Sequence, residues 1–165
     1  MKRITLFLLL LTAVLINAQT NPIQIINFST QDIKFTLLSN NPNTAAQDCL
    51  SRVFSEDPVL LPSGSSVTYT QHNTSHLATP PINKWRVYDI AGPDVTYDLT
   101  TGAQVPTATT NISVWGLIRI FTQAGEEFDL GRSCTDPVGN YALPSGGSIN
   151  ATWSTLNGNV LIVIT

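Results

Sequence analysis

Asn111 to Cys134 reads NISVWGLIRIFTQAGEEFDLGRSC, and the fold turns on how that stretch is parsed. Ile112 to Phe121 is the longest β-branched apolar run beyond the N-terminal segment, with Ile112, Val114, Ile118 and Ile120 on one parity. Gln123 to Glu126, with Gly125 inside, has the chemistry of a turn. The chain then returns through a shorter alternating run in which Phe128 and Leu130 share a face. Alternation on both sides of a Gly-containing turn spells a β-hairpin, and a run this apolar places it in the core. On the same parity Trp115 stands opposite the buried set, on the outer face. The stretch ends on Cys134, one of only two cysteines.

The same grammar continues in both directions. Toward the N-terminus, Lys84 to Ile90 and Val95 to Leu99 flank a Gly-Pro turn, with Val95, Tyr97 and Leu99 on one face. Thr100 to Thr110 reads as a crossing connection. Earlier still come Ile23 to Phe28, a strand with Ile33, Phe35 and Leu37 inward, Cys49 to Phe54, Val59 to Leu61, and Ser65 to Thr70 with Val67 and Tyr69 inward. Ser39 to Asp48 reads as a loop, and the polar Gln71 to Asn83, which holds Pro80-Pro81, as an exposed one. Toward the C-terminus, a turn region from Thr135 to Asn140 precedes Tyr141 to Leu143 and Ser148 to Thr155. Asn157-Gly158 is a two-residue hairpin signal leading into Val160-Leu-Ile-Val-Ile164. That final run does not alternate, so it is expected to be covered on both faces, paired antiparallel with Ser148 to Thr155 and closing an edge.

No segment repeats at the helical period between capping residues, so almost no helix is expected. The pattern specifies an all-β chain: an antiparallel β-sandwich of Greek-key or Ig-like type with about nine or ten strands, a closed barrel being the second architecture. Two echoes fit that picture. Trp85 to Leu99 parallels Trp115 to Leu130, and a Cys followed by Asp-Pro-Val and Leu-Pro-Ser-Gly recurs after Cys49 and Cys134, as two halves of a sandwich would produce.

Residues 1–18 have the form of a cleaved signal peptide. Lys2 and Arg3 precede an apolar run, Leu6 to Ile16, and Ile16-Asn17-Ala18 offers a cleavage site before Gln19. The run is short for a bilayer span, so no transmembrane anchor is expected. A single domain from 19 to 165 follows, secreted or periplasmic. Without Lys2 and Arg3, six basic side chains face eleven acidic ones, a balance of −5 against −3 for the full chain. The basic residues are scattered singly, which argues against nucleic acid. In an exported chain, Cys49 and Cys134 are expected to form a disulfide, since no Cys-x-x-Cys spacing or adjacent His marks a reactive thiol.

Candidate chemistry is sparse. His72 and His76 bracket His-Asn-Thr-Ser-His, a spacing that suits metal ligands on a helix; in a polar loop with no third ligand they read as solvated side chains. Glu127 and Asp129 project together from one strand, which suits an acid pair or calcium, though a solvated hairpin face is the better reading. No nucleophile motif and no phosphate-cradling glycine loop is present, and no cofactor is expected. Trp85 and Trp115 are candidates for stacking on a sugar or anchoring a protein, though packing over a sheet edge or beneath a loop is the favoured reading. The leading expectation is therefore a non-enzymatic exported module that binds a protein or carbohydrate. A small secreted hydrolase using Glu127, Asp129 or a histidine is the alternative, and a membrane-active, lysin-like sandwich the third.

Overall fold

The computed structural model describes residues 21–90, 92–131, 134, 140–143 and 145–165. The expected signal peptide, residues 1–18, and most of the expected turn from Thr135 to Asn140 lie outside them. Twelve strands are present among the described residues, more than the number expected from sequence because several span only two to four residues.

Two sheets face each other. The first has five strands, ordered β10 (Tyr141–Ala142), β11 (Ala151–Leu156), β12 (Asn159–Ile164), β1 (Ile23–Asn27) and β5 (Ser66–Tyr69). The second has the path β7 (Val95–Asp98), β6 (Lys84–Tyr88), β3 (Arg52–Ser55), β2 (Ile33–Asn40), β8 (Val114–Phe121) and β9 (Glu127–Gly131), with β4 (Val59–Leu61) added on β2. Ile23, Ile25, Val67, Tyr69, Trp153, Val160, Ile162 and Ile164 from the first meet Phe35, Leu37, Val53, Trp85, Ile118 and Ile120 from the second. In most strands one parity is buried and the other is not, as a half-covered pleated sheet requires, while β2 is buried on both from Leu37 to Asn40. The fold is thus an all-β sandwich, with helical structure limited to short pieces at Pro42–Gln47, His72–Leu77, Leu99–Thr101 and Thr107–Thr110. No helix among the described residues is long and apolar enough to cross a membrane.

The Asn157-Gly158 turn forms as read. Both residues have positive φ, 51° and 80°, the primed-turn geometry that matches strand twist, and Leu156 pairs with Asn159 across it. Cys49 and Cys134 are bonded, with α-carbons 5.3 Å apart, which staples the loop between β2 and β3 to the chain beyond β9.

Several expectations need correction. All ladders are antiparallel except one: β1 runs parallel to β12, Ile23 beside Val160 through Asn27 beside Ile164. The last strand therefore closes no edge; it lies between β11 and β1. Nor is it covered on both faces, since Leu161 points outward and is 38% exposed. The Trp85 and Trp115 hairpins do not belong to separate halves. Both lie in the second sheet, flanking its central β3–β2 pair. Val95 does not share a buried face with Leu99; it is exposed at the end of edge strand β7.

Trp115 is buried, contrary to its parity. The register between β2 and β8 slips by one residue, Leu38 pairing with Leu117 but Ser39 with Trp115, so Gly116 is the extra residue of a β-bulge. The bulge swaps the faces, leaving Trp115 and Ile118 on the same side. It also requires a close neighbour without a side chain. Gly131 has φ 106°, and a β-carbon there would lie 2.5 Å from the Gly116 carbonyl oxygen.

Candidate functional site

The expected exposed loop, Gln71 to Asn83, is instead a pinned lid over the core. His72–Leu77 forms a 3-10 turn whose His72 and Ser75 are buried. The imidazole of His72 lies between the two tryptophans, 4.7 Å from the Trp85 ring and 4.9 Å from the Trp115 ring, centroid to centroid. Its Nε2 is 2.7 Å from Ser39 Oγ. The Trp85 indole N–H donates to the His72 carbonyl and to Ser75 Oγ, at 3.1 and 2.9 Å. Ser75 Oγ lies within donating distance of the carbonyls of His72 and Ile82, 2.7 and 2.8 Å, and serves one at a time. The Trp115 indole N–H donates to the Asn21 carbonyl.

The two hairpins echo each other here for a reason. Trp85 sits opposite Ser55 on β3, and Trp115 opposite Ser39 on β2. A small residue across from each indole leaves room for the ring to lean inward, and the two rings converge on one histidine. Ser55 Oγ accepts from the Leu37 amide, and Ser39 Oγ meets His72.

A hydroxyl 2.7 Å from an imidazole nitrogen has the geometry of a base-activated nucleophile. Its surroundings do not. Ser39 is fully buried, His72 is 5% exposed, and aromatic rings cover the imidazole. Substrate reaches neither atom without opening the core. Burial also lowers the His72 pKa from the usual 6.5 to about 4, holding the ring neutral at ordinary pH.

That shift makes an acid-stability prediction. The folded pKa lies below the unfolded one, so the unfolded chain takes up the proton first. The contribution of neutral His72 is whole above pH 6.5 and drains away as pH falls toward about 4. By linkage the loss approaches roughly 3 kcal/mol at the bottom of that window. Urea midpoints from pH 7.5 to 4 should fall more steeply in the natural chain than in His72→Gln; equal slopes would show that the ring does not titrate in this way.

The other candidates are dispersed. His76 is half-buried on the same turn, with Nδ1 buried and unpaired. Glu127 and Asp129 do project together from β9, but Arg119 on β8 engages both. Its Nε and Nη2 donate to the two oxygens of Asp129 at 2.7 and 2.8 Å, and its Nη1 lies 2.9 Å from Glu127. The guanidinium pKa is raised, first by the Asp129 hydrogen bond. Arg119 supplies the charge that a cation would otherwise bring. No group of three or more His, Cys, Asp or Glu among the described residues is arranged to hold a metal.

What sequence reasoning missed is the distribution of charge between the two faces. All five described basic residues, Lys34, Arg52, Lys84, Arg86 and Arg119, fall on the outward parity of the second sheet. The outward parity of the first sheet carries none, and no acid. Its rows run Ser66, Ile26, Val163, Thr152, Ala142 and then Thr68, Gln24, Leu161, Ser154, with Phe28, 63% exposed, at one end. The signal was present in each strand's alternation, but assembling it requires knowing which strands are neighbours.

Comparison with protein-family models, curated proteins and solved structures finds no match to the chain.

Proposed function

We propose that the chain is an exported, non-enzymatic recognition module that binds a protein through the uncharged outer face of its five-stranded sheet. The observation that carries this reading is the charge segregation: one broad face combines Ile26, Val163, Leu161 and Phe28 with short hydroxyl side chains and has no ionisable group. Such a surface loses little on leaving water, because no charge is stripped of its hydration, and protein interfaces are depleted of charge at their centres for that reason. A protein is favoured over a sugar because all three tryptophans, Trp85, Trp115 and Trp153, are buried and give no stacking platform. The hydrolase alternative has a sealed serine–histidine pair and carboxylates already held by Arg119. Export is supported by the residue pattern of 1–18 and by a disulfide that persists in oxidising compartments.

The test is site-directed photocross-linking in cells that make the protein, with p-benzoylphenylalanine placed at Ser154 on the uncharged face or at Lys34 on the charged one. A discrete protein adduct from Ser154 and none from Lys34 is expected. Equal labelling from both positions, selective binding to arrayed glycans, or hydrolysis abolished by His72→Gln would each overturn the reading.

A further inference from the structure

The second sheet contains a place where a strand is missing. β6 pairs with β3 in a register that sets Trp85 opposite Ser55, and the Glu56 amide continues it by donating to the Lys84 carbonyl. Followed further back, β6 would run on through Ile82, Pro81 and Pro80 toward β4, but two extra residues enter between Ser55 and Val59, because β3 and β4 pair with β2 two residues out of step. The ladder stops there instead. Pro58, Pro80 and Pro81 lie where the ladder breaks off, and proline brings no amide hydrogen to a ladder. The chain turns away, and β4 pairs only with β2.

A cavity of about 420 Å³ remains between the two segments, walled by Pro58, Leu60, Pro80 and Pro81, with Asp57 and Lys84 at the side where the ladder ends. Its volume lies in the range of sites that hold small ligands, roughly 300–1,000 Å³. The far wall is fixed in place. The buried Tyr69 hydroxyl donates to the Pro80 carbonyl at 2.8 Å, and the Ile82 amide donates to the Ser75 carbonyl at 3.2 Å.

Backbone alternation shows what the near wall offers. The Leu37 amide points from β2 toward β3, since it donates to Ser55 Oγ. Ile33 and Phe35 point the same way, so their bonded partners on β4 are Leu61 and Val59. Leu60, between them, therefore turns its N–H and C=O to the opposite edge, into the cavity. Leu60 is thus a donor and an acceptor facing a slot that none of the described residues fills.

We infer that this slot binds a short extended peptide, which adds a strand against β4 and hydrogen-bonds to Leu60. The open length, three positions or about 10 Å, accommodates one short stretch of strand. Backbone pairing supplies the attraction and Leu60, Pro58 and Pro81 the apolar side contacts, so affinity depends little on peptide sequence. The slot lies in the charged sheet, away from the uncharged face, so the two sites fail or succeed separately.

The probe is the blocked peptide acetyl-Thr-Val-Thr-Val-amide, titrated into the isotopically labelled full chain. Saturable amide shifts centred on Leu60, Asn83 and Lys84 are expected by about 1 mM peptide, with slowed exchange of the Leu60 amide. The same peptide N-methylated at every residue keeps its side chains but loses those backbone donors, and should bind at least about tenfold more weakly. Leu60→Pro removes the slot-facing donor without touching the β2 ladder, and should weaken binding comparably while the melting temperature holds. Equal binding of the methylated peptide, shifts confined to another surface, or no binding at that concentration would overturn the inference. Should Leu60→Pro fail to fold, the methylated peptide still decides the matter.

Discussion

A chain ending at Gly158 should show no cooperative unfolding transition. Removing 159–165 deletes β12, whose Val160, Ile162 and Ile164 are buried at the centre of the core. At about 1.5–3 kcal/mol per buried aliphatic side chain, the loss is roughly 5–9 kcal/mol. That rivals the whole stability of an ordinary domain, about 5–15 kcal/mol. The position of β12 aggravates the loss: it is bonded to β11 on one side and β1 on the other, so its removal opens two sheet edges at once. Near-ultraviolet circular dichroism, which reports the packed tryptophans, should be featureless, and the truncated chain should aggregate. Ile162→Ala provides a graded control, weakening the fold by about 2–5 kcal/mol without removing the strand. A truncated chain that stays soluble and melts cooperatively near the full-length temperature would refute the central role of β12.

The second large effect concerns the disulfide. Cys49 and Cys134 are 85 residues apart in sequence. Cross-linking a loop of that size removes denatured-state entropy worth about 4–5 kcal/mol in the loop-closure description. Replacing both cysteines with alanine should therefore lower the melting temperature by roughly 10–20 °C for a domain of this size. The folded contacts argue in the same direction, since Cys49 is fully buried. Thermal unfolding of the double variant beside the natural chain, both monitored by tryptophan fluorescence, tests the figure. A shift of only a few degrees would mean that the denatured chain already keeps these segments together.

Local pattern carried much of the architecture. Alternation in Ile33 to Leu37 and Ser66 to Tyr69 gave strands and their inward sides, because a pleated strand writes its faces into every second residue. Asn157-Gly158 gave a turn because few other dipeptides accept two positive φ values. What escaped depends on partners distant in sequence. The parity of Trp115 reverses because of a bulge at Gly116, which exists only against β2 and Gly131. His72 sits in a polar segment that any local reading leaves in solvent. Two indoles and Ser39, brought in from three other strands, are what make its burial tolerable. The uncharged face is likewise a property of five strands side by side, and the peptide slot depends on a register that no single stretch displays.

The parallel pairing of β1 with β12 has a consequence for how the chain is made. β12, the neighbour of β1, is translated more than a hundred residues after it. At typical elongation rates of about 5–20 residues per second, Ile23 and Ile25 wait on the order of ten seconds for the strand that buries them. The sandwich cannot close until β12 has been made. Until then the inward side of β1 lies open to any partner that selects unfolded polypeptide.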